Sequence, residues 1–342
     1  MTKKVLLFLA VMLLLPLGGC ATAKKTSEPA KNSRIVTPWL LYRDENDWKK
    51  LEPFKDIISS VSLHTRKSAD PERSYFDKFH EMGIEVYKLV GAHDPSEFSD
   101  DAKIEESISH YLKLCTENGY DGIDLDFESI PTEYQQRYTK FMRELSGQLH
   151  SKGKKLSICV GLWHGLFDKG DVDVFHQPDV IAETCDLVRV MGYDAYYSPM
   201  GNAADGIAPT STYPYNREAM QLLQKWIPKE KLILGLPGYG NDYDMTPGGK
   251  GRQMTGKPRV QEGSQADYRW LWYEKMSLYR YVNANDGKPH LYFAADARAI
   301  SWQLRIVDDQ KLAGIGFWHF DMVQPEVWSA VRDWLNGNNI PK

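Results

Sequence analysis

The sequence predicts an α/β protein, a (β/α)8 TIM barrel with an insertion between its seventh and eighth strands. Three observations predict it. Eight short apolar runs alternate along the chain with amphipathic, helix-like segments. No glycine-rich phosphate loop follows the first run, which weakens the rival open, doubly wound sheet. The stretch 241–289, between the last two runs, is too long for a plain loop.

The N-terminus stands apart from this pattern. Lys3 and Lys4 precede an almost wholly apolar run from Val5 to Leu17. That run is too short for an ordinary spanning helix and has the layout of a secretory signal. Leu17-Gly18-Gly19-Cys20 resembles the bacterial lipobox, in which the cysteine is lipidated and becomes the mature N-terminus. A plain signal peptide cut nearby and an uncleaved anchor are the alternatives. The reading divides the chain into a signal peptide (1–19), a lipidated Cys20 with a flexible polar tether (20–34), and a barrel (35–342). The expected location is outside the cytoplasm, lipid-anchored to the bacterial cell envelope.

The barrel strands are expected near 34–42, 57–65, 84–92, 120–128, 155–163, 186–194, 231–239 and 313–321. Amphipathic segments lie between them. In the one after "YDGIDLDFE", Tyr134, Tyr138, Phe141, Leu145 and Leu149 recur at helical spacing, and Gly153 stops the pattern. The insertion is glycine-rich early ("TPGGKGRQMTG") and aromatic later ("YRWLWYEKMSLYRYV"), and is expected to elaborate the barrel mouth.

Composition narrows the partners. The formal net charge is -4 with no strong basic patch, which argues against nucleic acid. Ten Trp and nineteen Tyr suit either a large aromatic core or a groove that stacks on flat ligand faces. Apart from Cys20, three cysteines remain, Cys115, Cys159 and Cys185, and three cannot all pair within one chain. Buried free thiols are expected, and no CxxC pair or Cys/His cluster suggests zinc. A monomer is expected.

The chemistry concentrates in the fourth run. Residues two apart in a strand share a face, so Asp124, Asp126 and Glu128 point one way and Ile123, Leu125 and Phe127 the other. In a barrel the apolar set meets the helices and the acids point inward. Burying three charges for structure alone is costly, because each needs a partner or a proton. A divalent-metal site would suit clustered carboxylates, but no further acidic cluster completes one. The third reading is proton transfer. Crowded carboxylates cannot all ionise cheaply, so at least one pKa rises. Glu128 lies at the C-terminal end of the strand, where barrel enzymes place their chemistry, and can protonate a leaving oxygen. Asp126 can hold charge near a developing cation, and Asp124 can share a proton with Asp126.

"DGIDLDFE" at 121–128 resembles the DGxDxDxE signature of glycoside hydrolase family 18 at every fixed position. "MGYD" at 191–194 resembles the family's sixth strand, "LILGLPGYG" at 232–240 its seventh and "GIGFWHFD" at 314–321 its eighth. The resemblance covers about 35–335, and "GLPGYGNDYD" with the compact layout looks most like the chitobiase-type exoglycosidases. It implies a retaining glycosidase that cleaves β-1,4 linkages of N-acetylglucosamine-containing glycans (chitooligosaccharides, N-glycan cores or related polymers). In that chemistry the substrate's own 2-acetamido oxygen is the nucleophile. Glu128 would be acid and then base, Asp126 would orient the acetamido group, and Tyr193 would hydrogen-bond it. Asp194 would support the site, Met191, which shares the inward face with Tyr193, would help bind substrate, and Trp318 would lie beneath the sugar. No cofactor and no metal are implied.

Other residues at or after strand ends are candidates for substrate contact: Trp39, Trp163, Tyr196, Tyr197, Tyr239 and Tyr243. His64, His93 and His164 fall there too, and read as structural. The rival class is a lectin-like, non-catalytic glycan-binding lipoprotein on the same barrel. Retention of Glu128, Asp126 and Tyr193 argues against it.

Overall fold

A computed structural model describes residues 34–65, 70–91, 94–128, 130–161, 177–194 and 206–338. Nine parallel strands form the main sheet. Eight come first: β1 (Ile35–Val36), β2 (Trp39–Leu41), β3 (Ser60–His64), β4 (Glu85–Gly91), β5 (Gly122–Asp126), β6 (Lys155–Gly161), β7 (Leu187–Met191) and β8 (Leu232–Pro237). Five strands of a second, antiparallel sheet follow: β9 (Gly240–Asp244), β10 (Gly251–Met254), β11 (Asp267–Leu271), β12 (Met276–Val282) and β13 (Pro289–Ala294). The last parallel strand is β14 (Gly314–Trp318).

The parallel sheet runs β1-β14-β8-β7-β6-β5-β4-β3-β2 and curls strongly. Its two edges, β1 and β2, are successive pieces of one run separated only by Thr37 and Pro38. The hydrogen bonding changes sides there. Thr37 N–H donates to Ile315 O on β14 at 2.9 Å, whereas Pro38 O accepts from Ser62 N–H on β3 at 3.1 Å. Proline has no N–H to continue a ladder, which suits it to this break. Each predicted run contains observed strand.

Seven α-helices are described: α1 (Arg73–Glu81), α2 (Asp101–Lys113), α3 (Gln135–Ser151), α4 (Pro178–Thr184), α5 (Tyr213–Leu223), α6 (Ala297–Gln310) and α7 (Pro325–Leu335). Helix α3 shows why they pack on the sheet. Tyr138, Phe141, Leu145 and Leu149 form its buried stripe, as their spacing requires, while Tyr134 precedes the helix. Gly153, just past its end, has φ +67°, a conformation a Cβ would strain. Phe127 meets this stripe, with ring centroids 6.2 Å from Tyr138 and 6.5 Å from Phe141. Burial of each such side chain contributes about 1.5–3 kcal/mol. Ile123, Leu125 and Phe127 are all buried in this sheet–helix core.

The antiparallel sheet has the order β10-β9-β13-β12-β11 and reaches from Gly240 to Ala294. It extends past the expected boundary at 289, because β13 pairs with both β9 and β12. A buried Asp242 ties it together. Its carboxylate accepts from Arg252 Nε at 2.9 Å and Tyr281 OH at 3.0 Å, and contacts His290 Nδ1 at 2.9 Å. Tyr243 OH donates to Ala208 O at 2.8 Å, fastening β9 to the chain that follows β7.

Candidate active site

The site forms where the C-terminal ends of the parallel strands converge. Strand register brings its parts together: Leu89 on β4 and Ser157 on β6 flank Asp124, Gly91 pairs with Asp126, and Cys159 pairs with Arg189 on β7. The three acids of the β5 run lie at successive depths. Asp124 is fully buried, Asp126 mostly so, and Glu128, two residues beyond the strand, is exposed.

Asp124 is not bonded to Asp126, contrary to the expected shared proton. Its Oδ2 accepts from Ser62 Oγ at 2.6 Å and lies 3.6 Å from Cys159 Sγ. Its Oδ1 lies 3.3 Å from Nε of Arg189, which is itself fully buried. Among the described residues no such cation pairs with Asp126. Burial, then the charge of Glu128, then that of Asp124, push its carboxyl up to about 7, and a hydrogen bond from Cys159 offsets this only partly. The series therefore presents a buried ion pair, then a carboxyl with its pKa raised to about 7, then an exposed carboxyl group.

Aromatic rings line the space beside it. Trp39 is 1% exposed and packs edge-on against Trp318 at 6.0 Å and Tyr193 at 6.4 Å between centroids. Met191, Leu89 and Cys159 complete that cluster. Glycines make room for the large indole. A Cβ on Gly235 or on Gly316 would come within 3.2 Å of the Trp39 ring. Trp318 is half-buried, lies 6.5 Å from the His64 ring, and is followed by a cis peptide bond to His319.

A second network holds the turn after β7. Asp194 adopts a left-handed conformation, φ +52°. Its Oδ1 accepts from Thr210 Oγ1 at 2.8 Å and from Tyr239 OH at 2.9 Å. Asp194 N–H also donates to Thr210 Oγ1 at 3.1 Å. These bonds fix the residue adjoining Tyr193, whose phenol burial pushes well up, so it stays a neutral donor.

The structure thus places Asp124, Asp126, Glu128, Met191, Tyr193, Asp194 and Trp318 on the parallel strands or just after them, whereas Trp39 and Tyr239, expected as substrate contacts, are each 1% exposed and held by Trp318 and Tyr193 and by Asp194 respectively. Tyr243 is a correction. It is 3% exposed, packs against Phe293 inside the second sheet, and bonds Ala208, so it serves architecture. Cys20, His93, Trp163, His164, Tyr196 and Tyr197 lie outside the described residues. Cys115, Cys159 and Cys185 are free and buried. Sequence reasoning gave no role to Arg189, Ser62, Ser157 or Cys159. The available signal was parity: Arg189 interrupts an apolar run and shares a face with Met191. Among the described residues no group of three or more His, Cys, Asp or Glu is arranged to hold a metal ion.

Residues 74–322 match Glycosyl hydrolases family 18, and the chain belongs to that family. Two relatives and two solved structures sharpen the comparison. The cortical fragment-lytic enzyme of Bacillus subtilis (strain 168) is 22% identical over 243 residues, which is 70% of this chain and 55% of that protein. Chitotriosidase-1 of Mus musculus is 27% identical over 156 residues, 40% of this chain and 33% of that one. The chain spans about half the length of the first curated relatives it matches. In three dimensions it is similar to a chitinase from Chromobacterium violaceum, with a TM-score of 0.74 at 17% identity over 88% of this chain and 99% of the other. A family 18 chitinase from Cycas revoluta, solved with (GlcNAc)3, has a TM-score of 0.67 at 14% identity, covering 87% and 99%.

Proposed function

We propose that this protein is a retaining glycosidase that cleaves β-1,4 linkages of N-acetylglucosamine-containing glycans by substrate-assisted catalysis. The observation that carries the reading is the graded acid series of the "DLDFE" run, from a fully buried Asp124 to an exposed Glu128 just past β5. In this reading β1 and β2 count as one strand, so the parallel sheet is a (β/α)8 barrel and the antiparallel sheet is its insertion.

Asp126 and Glu128 share one proton. Glu128 delivers it to the glycosidic oxygen as the C–O bond breaks. The 2-acetamido oxygen of the substrate attacks the anomeric carbon from the other face and closes an oxazolinium ring. Asp126 accepts a hydrogen bond from the acetamido N–H, and Tyr193 donates to the acetamido oxygen, so both interactions grow as charge develops. Glu128 then takes a proton from the water that opens the ring. Trp318 offers an apolar face to the sugar, and the buried Trp39 packs edge-on against Trp318 and holds it in place. The relatives' names point to two substrate pools, chitin and spore-cortex glycan, both of which present the required acetamido group.

The test is Glu128→Gln assayed on a chitooligosaccharide series and on a muramic-acid-containing glycan. Turnover is expected to fall by at least about 10²–10⁴-fold with the fold intact. Near-wild-type rates in that variant would sink the mechanism. Tight glycan binding without wild-type turnover would favour the lectin reading. We also propose that Cys20 is lipidated and that residues 20–34 tether the enzyme to the cell envelope, a reading supported by the lipobox-like sequence.

A further inference from the structure

We propose that Arg189 is a positioning residue that holds Asp124 as a carboxylate and thereby confines the site's exchangeable proton to Asp126 and Glu128. The proposal rests on the proton-sharing role given above to Asp126 and Glu128. It goes beyond that role by naming the group that decides where the proton resides.

The guanidinium is built in from several sides. Arg189 Nε donates to Ser157 Oγ at 2.9 Å, and Nη1 donates to Thr37 O at 3.2 Å and to Thr37 Oγ1. The aromatic faces of Tyr87 and Trp39 lie 5.3 Å and 5.8 Å from its central carbon. Strands β4, β6 and β7 and the β1–β2 run therefore all fix one cation against Asp124. Both partners of the pair are completely excluded from solvent. Asp124 Oδ1 has no hydrogen-bond donor among the described residues, so the guanidinium is what offsets its charge there. A buried carboxylate without a cation takes up a proton instead.

Among the described residues, the other groups around the acids do not supply that cation. Asp124 and Glu128 are the charged neighbours of Asp126 on its own run. Cys159 on β6 and Tyr193 after β7 also act on it, but burial pushes both well up, so both stay neutral. Ser62 on β3 donates a hydrogen bond without charge, and His64, two residues on, packs beside Trp318. Asp194 acts on Tyr193 and is engaged by Thr210 and Tyr239. Asp124, kept ionised, then presses its charge on Asp126, and the proton stays on the outer two acids where a substrate can draw on it. Without Arg189 the proton would settle on Asp124, and Asp126 would ionise more easily.

The experiment is a pH titration of the full-length chain in detergent, with ¹³C-labelled aspartate carboxyls and Asp126 assigned from Asp126→Asn. In the wild type the Asp126 carboxyl is expected to titrate at about 7. In Arg189→Met the midpoint should fall by about one pH unit or more, because Asp124 becomes neutral. Arg189→Lys, which restores a cation, should stay within about half a unit of wild type. If Arg189→Met does not fold, Arg189→Met with Asp124→Asn removes both charges and should show the same fall. A midpoint unchanged or raised in the folded variants overturns the proposal and leaves Arg189 a packing residue. This readout needs no substrate, so it is independent of whether the proposed reaction is right. On a hydrolysed substrate, the alkaline limb of kcat/KM should move down by the same amount.

Discussion

Asp126 keeps its proton up to about pH 7, because burial and the charges of Glu128 and Asp124 all disfavour ionisation. The unfolded chain releases that proton near its ordinary value of 3.8. A raised folded-state value means that folding binds the proton more tightly. The group is therefore harmless to stability below about pH 4, and its cost grows as pH rises toward 7. Asp126→Asn is expected to stabilise the protein at pH 8 by on the order of 2 to 4 kcal/mol, with no gain at pH 4. Urea midpoints at the two pH values check this, and equal effects at both would contradict it. The same variant should lose glycosidase activity, as expected where a functional group is held in an unfavourable state. Glu128, two residues on, is solvent-exposed. Both acids were legible from their spacing in one strand. Their different states were not, since burial depends on what surrounds each carboxylate.

At the scale of elements, the close approach of β1–β2 to β14 shapes the aromatic wall. A Cβ on Gly316 would sit 2.9 Å from Thr37 O and 3.2 Å from the Trp39 ring. Gly316→Ala must therefore push the indole away or part the strands. Overpacking of this kind costs about 1–3 kcal/mol. The expected outcome is a lower melting temperature and a several-fold higher KM for oligosaccharide, with kcat less affected. Unchanged KM and melting temperature would show that Trp39 is not held as described. The strands and the stripe of α3 were readable because alternation and the 3.6-residue period are local properties. The break at Pro38 and the extension of the second sheet to Ala294 were not. Each depends on which distant strand supplies the hydrogen bonds.

Across the whole molecule, the described residues carry no helix long and apolar enough to cross a membrane. The proposed anchor is supported by the lipobox-like sequence Leu17-Gly18-Gly19-Cys20. Cys20→Ala is expected to abolish incorporation of labelled fatty acid and move the protein from the membrane fraction to the soluble one. A variant that still fractionates with membranes would point to an uncleaved apolar segment instead. The parallel-sheet domain should be unaffected, because its first described strand begins at Ile35. By itself, the sequence determined the alternation of parallel strands with helices and the inward face of "DGIDLDFE", but not the five antiparallel strands from Gly240 to Ala294. It also carried the motif that marks the family. All of these follow from contacts between residues close together in the chain. Only the tertiary structure decided that Arg189 neutralises Asp124, that Trp39 lies over two glycines, and that Tyr243 serves architecture. Those outcomes come from strand register, which brings residues far apart in sequence to one depth of the sheet, where burial sets the charge each can carry.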